Sequence, residues 1–353
     1  MLSQATYIWI DGHKPTQHLR SKVRVVDINP DNTPQPKDFP EWGFDGSSTY
    51  QAEGDFSDLV LQPVCCVANP LSIGNDYLVL CEVYDQQGQP HQSNTRAKLR
   101  QAMDQGGAAQ EPWIGFEQEY TLFDGHQPLG WPVHGYPAPQ GPFYCGVGAD
   151  EVYGREFVDK HADACIDAGL MIFGTNAEVM PGQWEFQIGY RDIEGESADP
   201  LTVSDHLWIA RWLMYRIGEE YNITVKLDPK PVPGDWNGAG KHTNFSTKDT
   251  RDPQKGRQAI EDAVECLKQN HQQHISNYGH NLDKRLTGLH ETAPIDKFSH
   301  GSSNRSASIR IPAAVAQKGY GYLEDRRPGA NADPYVVSTC LIQTICLKKP
   351  VSA

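Results

Sequence analysis

The residues whose types and spacing could do chemistry lie in short, carboxylate-rich segments. In "PWIGFEQEYTLF", 112–123, Glu117 and Glu119 stand two apart, and a strand there turns both to one face. Alone, such a pair reads as a solvated strand face. Among aromatics it is a candidate metal or acid–base pair. "NAEVMPGQWEFQI", 176–188, reads as a hairpin at Pro181-Gly182, since Pro presets φ and Gly accepts positive φ. A two-residue loop sets Met180 against Gln183, Val179 against Trp184 and Glu178 against Glu185. Facing glutamates repel unless a cation or a shared proton lies between them. "KHTNFS" places His242, Asn244 and Ser246 on one face and Lys241 and Phe245 on the other, while "GYLEDRRP", 321–328, aligns Tyr322, Glu324 and Arg326. A lone His242 is an ordinary structural histidine; its company makes it a ligand candidate. Carboxylates plus one neutral imidazole form a hard donor set, better suited to Mg²⁺ or Mn²⁺ than to zinc.

Cations cluster nearby in the chain: Arg285 in "KRLTGLHET", Arg305 and Arg310 in "NRSASIRIP", then Arg326 and Arg327. Each alone suits a salt bridge, but together they suit a clamp for phosphate or carboxylate. The stretch "GDWNGAGKHTNFS", 234–246, resembles a P-loop only superficially. Five residues before Gly240 stands Asp235, and His242 rather than Ser or Thr follows Lys241. Metal ligands and arginines without a P-loop point to phosphoryl transfer on another scaffold.

The elements that must position these residues come in two sets. Up to about residue 90 the chain alternates strand-like runs ("ATYIWI", "KVRVVDI", "LVLQPVCCVA", "DYLVLCEVY") with Pro/Gly/Asn/Asp punctuation. From "TRAKLRQAMDQ", behind a cap at Asn94 or Thr95, strands alternate with helices expected at 154–168, 204–220 and 254–276. Leu207, Ala210, Leu213, Met214 and Ile217 predict a buried amphipathic helix. "GWPVHGYPAPQGPFYCGVGAD" is too aromatic for a flexible linker and predicts an ordered loop. The layout is a small β-rich domain and a larger α+β domain.

At 353 residues, with 31 Lys+Arg against 45 Asp+Glu and a net charge of −14, the chain is a poor match for nucleic acid or an anionic membrane. It shows no eighteen-residue apolar run and no signal-peptide pattern. Its 8 cysteines form no C-x-x-C pair and read as reduced, mostly buried thiols in a cytoplasmic protein.

"EWGFDGSST", "GFEQEYTLF", "PQGPFYCGVGAD", "NAEVMPGQWEFQIG", "DWNGAGKHTNFST", "KRLTGLHET", "NRSASIRIP" and "GYLEDRRP" occur in order. Together they closely resemble the glutamine synthetases of type II, across roughly residues 5–345. The resemblance implies an N-terminal β-grasp domain (5–88) and a catalytic domain (93–353) with a curved antiparallel sheet and surrounding helices. It implies a homo-oligomer of two stacked pentameric rings, a decamer with shared active sites. The implied reaction is ATP-dependent joining of glutamate and ammonia through γ-glutamyl phosphate, with two or three Mg²⁺ or Mn²⁺ ions per site.

Carried over by residue, Glu119, Glu178 and Glu185 resemble the ligands of one ion, and Glu117, His242 and Glu324 those of another. Asn237, Gly238, Arg285 and Arg326 resemble glutamate contacts. Glu117, Glu185, Asn244, Phe245, Ser246, Arg305, Arg310 and Tyr322 resemble nucleotide contacts. Arg305 also resembles a stabiliser of the transferring phosphoryl group. Asp45 resembles the aspartate that reaches a neighbouring subunit's site to deprotonate ammonium, and Glu291 the glutamate on a closing flap. Two departures stand out: Lys241, where the family carries a small or neutral residue, and a longer segment after Ile188, about 190–205. Two rival readings are a ligase for another amine and a catalytically dead structural homologue; the intact carboxylates and His242 weigh against the second.

Overall fold

The computed structural model describes residues 1–29, 33–138 and 140–351. Pro139 of the aromatic loop and the last two residues of the expected catalytic domain lie outside them.

The first domain is a five-stranded sheet of β1 (Leu2–Ile10), β2 (Leu19–Asp27), β3 (Trp42–Asp45), β4 (Asp58–Ala68) and β5 (Tyr77–Tyr84), in the order β2-β1-β5-β4-β3. Only β1 and β5 run parallel, side by side at its centre. Alternation along β1 explains why both its faces are buried. Tyr7 and Trp9 join a small core with Val26, Leu61 and Val83, while Ile8 and Ile10 enter the main core of the second domain. Arg96 of α1 (Thr95–Asp104) ties the domains, bonding Glu82 of β5 at 2.9 Å and Asp205 at 2.8 and 2.9 Å. The Asn94 side chain caps α1 by accepting from Ala97 N at 3.1 Å.

The second domain is built on nine strands: β6 (Trp113–Asp124), β7 (Gln127–Pro128), β8 (Ile172–Ala177), β9 (Gln183–Gly189), β10 (Thr224–Lys226), β11 (Lys241–Ser246), β12 (His300–Ser302), β13 (Ile309–Ile311) and β14 (Leu323–Asp325). They curl in the order β12-β13-β14-β11-β6-β9-β8, with β7 and β10 also on β6. The sheet is not wholly antiparallel as expected, because the edge pair β12–β13 is parallel. Its back is covered by helices, above all α3 (Pro200–Tyr221), which is preceded by α2 (Arg155–Asp167). Helix α3 starts four residues earlier than its apolar period indicates, because Asp199 caps it from Leu201 N and Thr202 N and Pro200 fits the first turn. On α3, Arg211 is fully buried and donates to Gln118 Oε1 and to the Ala330 and Ala332 carbonyls, which pins the back of β6.

The remaining helices are α4 (Lys248–Arg251), α5 (Gly256–Gln269), α6 (His271–Asn277), α7 (Leu282–Arg285), α8 (Ala313–Lys318) and α9 (Pro334–Leu341). The single helix expected at 254–276 is two, because Asn270 leaves helical geometry and its side chain bonds back to Cys266 O at 2.9 Å.

The expected hairpin register is also corrected. Pro181 and Gly182 do form the centre of a tight turn, which Gln183 N closes by donating to Met180 O at 3.0 Å with Gly182 at a φ of 77°, but the strands are paired two residues out of the expected register, with Glu178 N bonding Gln183 O at 2.9 Å. Glu185 therefore pairs with Asn176, not with Glu178. The shift is two residues, one full strand period, so Glu178 and Glu185 stay on the same face as diagonal neighbours.

Candidate active site

Strand period and register together bring the carboxylates to one face. Glu117 of β6 lies directly opposite His242 of β11, Glu119 opposite Glu185 of β9, and Glu324 of β14 opposite both Asn244 of β11 and Arg310 of β13. Glu117, Glu119, Glu185 and His242 line a cleft of about 410 Å³ with Glu178, Asn237, Gly238, Arg285, Glu291, Arg305, Arg310 and Arg326. Glu324 itself is 1% exposed and forms part of the cleft floor through His242, Arg310 and Arg326. A larger cleft of about 770 Å³, between His18 and the end of α3, contains none of these residues.

The ligand geometry converges on His242. Its Nδ1 is 3.2 Å from Glu117 Oε2 and 3.7 Å from Glu324 Oε1, and its Nε2 is 3.8 Å from Glu119 Oε1. Two sets could each hold a cation: Glu117, His242 and Glu324, and Glu119, Glu185 and His242. The first coincides with one expected ligand set. In the second, His242 stands beside Glu119 and Glu185, with Glu178 next to them. Burial and then the Arg326 guanidinium push His242 down to about 3, so the imidazole is neutral, as ligation requires.

The carboxylates are crowded beyond what protein donors offset. Burial, then Glu119, raises Glu178 to about 8. Burial, then Glu117, Glu119 and Glu178, holds Glu185 well above its ordinary value. Neutral amides orient them. Asn176 donates to Glu178 at 3.0 Å, Gln187 donates to Glu185, Asn244 donates to Glu117 at 3.0 Å and Gln183 donates to Glu119 at 3.3 Å. An amide dipole orients a carboxylate without cancelling its charge, which leaves the deficit for a divalent cation.

The arginines give the complementary signal. Glu324 accepts from Arg310 at 2.6 Å and from Arg326 at 2.5 Å, yet the Nε of each arginine is buried without a partner. Arg285 is buried and donates to His242 Nε2 at 3.1 Å and to the Arg326 carbonyl at 3.1 Å. Unmatched guanidinium donors beside excess carboxylate suit an anion bound together with metal.

Two expected contacts behave differently. Asn244, Phe245, Ser246 and Tyr322 line an adjoining apolar cleft of about 350 Å³, but Phe245 is also buried in the hydrophobic core. Trp113, Phe173, Tyr190 and Arg251 line the same cleft, with Trp113 and Tyr190 stacked at 4.6 Å and Arg251 over Trp113 at 4.0 Å. Sequence reasoning passed over these four, which come from β6, β8, the segment after β9 and α4. It also passed over Asn176, Gln183 and Gln187, although strand parity with Glu178 and Glu185 marks them. Asp45 does not reach the cleft. It sits exposed on the edge strand β3, held by bonds from Ser47 and Ser48 that pull its carboxyl down to about 2.

Lys241 lies on the opposite face, fully buried, donating to Ala332 O at 2.9 Å over the Phe116 ring. The run Gly238-Ala239-Gly240 serves packing instead of phosphate. A Cβ at Gly240 would come within 2.3 Å of the Arg285 guanidinium, and one at Gly238 within 2.5 Å of Pro229 O.

Comparison with known proteins identifies the family. Residues 2–86 match the model of the glutamine synthetase beta-Grasp domain and residues 92–347 that of the glutamine synthetase catalytic domain. A glutamine synthetase of Streptomyces viridochromogenes is 54% identical over 98% of this chain and 97% of its own length. One of Panulirus argus is 51% identical over 98% and 93%, and one of Rattus norvegicus is 48% identical over 98% and 90%. The cryo-EM structure of a Plasmodium falciparum glutamine synthetase covers 97% of this chain and 71% of that one with a TM-score of 0.76, at 16% identity. That likeness speaks to the fold, and the full-length identities speak to descent: the chain belongs to the glutamine synthetase family.

Proposed function

We propose that the cleft condenses L-glutamate and ammonia to L-glutamine, with ATP converted to ADP and phosphate through γ-glutamyl phosphate. The observation that carries this reading is the sheet face that gathers five glutamates and one neutral histidine beside unmatched arginines. Relatives about half identical over nearly the whole chain support it.

Glu119, Glu178 and Glu185, and Glu117, His242 and Glu324, would hold divalent cations, with Mg²⁺ or Mn²⁺ favoured by the oxygen-rich donors. When bound, such cations neutralise charge on phosphate and on the reacting carboxylate. Asn237, Gly238, Arg285 and Arg326 hold glutamate and orient its γ-carboxylate. Asn244, Phe245, Ser246 and Tyr322 face the nucleotide side. Arg305 and Arg310 stabilise the phosphoryl group as it passes to the γ-carboxylate, where guanidinium donors match its charge. Ammonia then attacks the acyl carbon, the bond from that carbon to the phosphate oxygen breaks, and phosphate leaves with the electron pair. Glu291, at the cleft rim, takes a proton from the attacking nitrogen.

Asp45 completes the site from a neighbouring copy, because within one chain it lies on the far domain's edge strand. A double pentameric ring supplies that neighbour, and the division of labour follows the domain boundary near 88–93. No described helix is long and apolar enough to cross a membrane, and a cytoplasmic location fits the free thiols of all eight cysteines.

The test is an assay of phosphate release by the purified protein with Mg²⁺, ATP and glutamate. Release should depend on added ammonia or hydroxylamine. Release with another amine but not with ammonia would sink the proposal in favour of a different ligase, and no release with any amine would indicate a structural homologue.

A further inference from the structure

The loop that carries Glu291 has a fixed stem and a strained tip. At the stem, Ile295 N donates to Leu286 O at 2.9 Å, and Thr287 and Pro294 form a bridge. Inside it, the Thr292 hydroxyl reaches Leu289 O at 2.8 Å and Arg285 O at 3.2 Å. At the tip, His290 and Glu291 have φ of 51° and 58°, a region that residues with a Cβ occupy sparingly. Two such residues in succession need an outside contact to hold them.

One is present. His290 Nε2 lies 3.1 Å from Asp235 Oδ1, on the separate loop that carries Asn237 and Gly238. Asp235 is well anchored for this. Its neighbour Trp236 is buried, packs on Trp131 at 4.9 Å and on Tyr136 at 5.4 Å, and its carbonyl accepts from Lys230.

We propose that the Asp235–His290 pair is a latch that holds Glu291 over the cleft and keeps water from the acyl phosphate. The inference rests on the reaction proposed above. Both are positioning residues: one adjoins the proton acceptor, the other adjoins the glutamate-binding segment, so the latch links substrate binding to closure. The Asp235 side chain is 77% exposed, which makes the pair weak enough to part in each turnover. With the latch open, water replaces ammonia as the nucleophile. The bond from the acyl carbon to the phosphate oxygen breaks, phosphate leaves with the electron pair, the spare proton goes to solvent, and glutamate is returned. ATP is then spent without glutamine.

The test compares phosphate and glutamine formed by Asp235→Ala and His290→Ala at subsaturating ammonia. Phosphate per glutamine should rise by about fivefold, the upper weight of one partly exposed polar contact, while KM for ATP holds. Asp235→Asn retains an acceptor and should restore coupling, and the double alanine variant should leak no more than either single one. If alanine at 290 prevents folding, Asp235→Ser on the exposed side carries the same measurement. Variants that stay coupled however slowly they turn over would overturn the latch, as would a double variant that leaks as the product of the singles. A wild-type enzyme that makes no glutamine would instead overturn the reaction.

Discussion

Strand β14 and the two residues that follow it present a carboxylate and an arginine on each face, and the two faces have opposite electrostatic fates. Behind the sheet, Asp325 accepts two bonds from the Arg327 guanidinium, at 2.8 and 2.6 Å, one from Arg327 N at 3.1 Å and one from the Tyr278 hydroxyl at 2.9 Å. Arg327 also reaches His271 at 3.1 Å, and His274 bonds both Tyr278 and Thr344. Burial pushes Asp325 up, but the Arg327 charge and its bonds outweigh that and hold the carboxyl below its ordinary value. In front, Glu324 shares a floor with four more glutamates, Glu178 rises to about 8, and two arginine Nε donors have no partner. The back is a complete network and stabilises the fold; the front is incomplete, and ligands complete it.

The comparison breaks most sharply at Glu178. Glu178→Ala should lower kcat by about 10³-fold, since a cation ligand contributes several kcal/mol to the transition state. The metal-free variant should unfold no lower than wild type, because a repelling carboxylate is gone. The sign of the pH dependence follows. With its folded value raised from 4.5 to about 8, Glu178 contributes stability that is full below its unfolded value and lost as pH rises through the folded one. Metal-free wild type should therefore lose Tm between about pH 5 and pH 8, and Glu178→Ala should flatten that slope. A steep slope in the variant would count against the assignment.

The back face predicts the reverse pattern. Asp325→Ala leaves a buried guanidinium unpaired and should cost about 3–5 kcal/mol in urea unfolding. Its activity loss should follow the folded fraction, with metal affinity of the folded protein near wild type. A stable but inactive variant would erase the distinction between the faces.

The smallest effect is expected at Lys241→Met. The ammonium is fully buried, and burial followed by Arg211 pulls it well below its ordinary value, so replacing it with an apolar chain of similar length should shift stability by only about 1 kcal/mol either way. Metal-dependent thermal shifts should match wild type. A tenfold change in metal affinity would show that the back of β11 tunes the front.

How far such a site can be read from sequence depends on whether a residue's placement is a matter of parity or of register. Glu117 and Glu119, His242 and Asn244, and Glu324 and Arg326 each share a face by strand alternation, which is local. Glu178 and Glu185 were placed on the right face through the wrong pairing, because a slip of two residues preserves parity. The stack of Trp113, Tyr190 and Arg251 drew no notice, since no local period joins residues on three elements. Asn270 likewise interrupts a helix whose composition reads as continuous, through a side-chain bond that only the folded turn makes.

The sequence by itself determined the two-domain order, the chemistry of the donor set and the exclusion of a P-loop, because spacing and residue type are properties of the chain. Tertiary structure alone decided that four strands with long connections meet in the order β14-β11-β6-β9. That order is set by long-range pairing and by the burial of α3 behind the sheet. It turns separate carboxylate pairs into one charge-deficient cleft, and it leaves Asp45 outside that cleft.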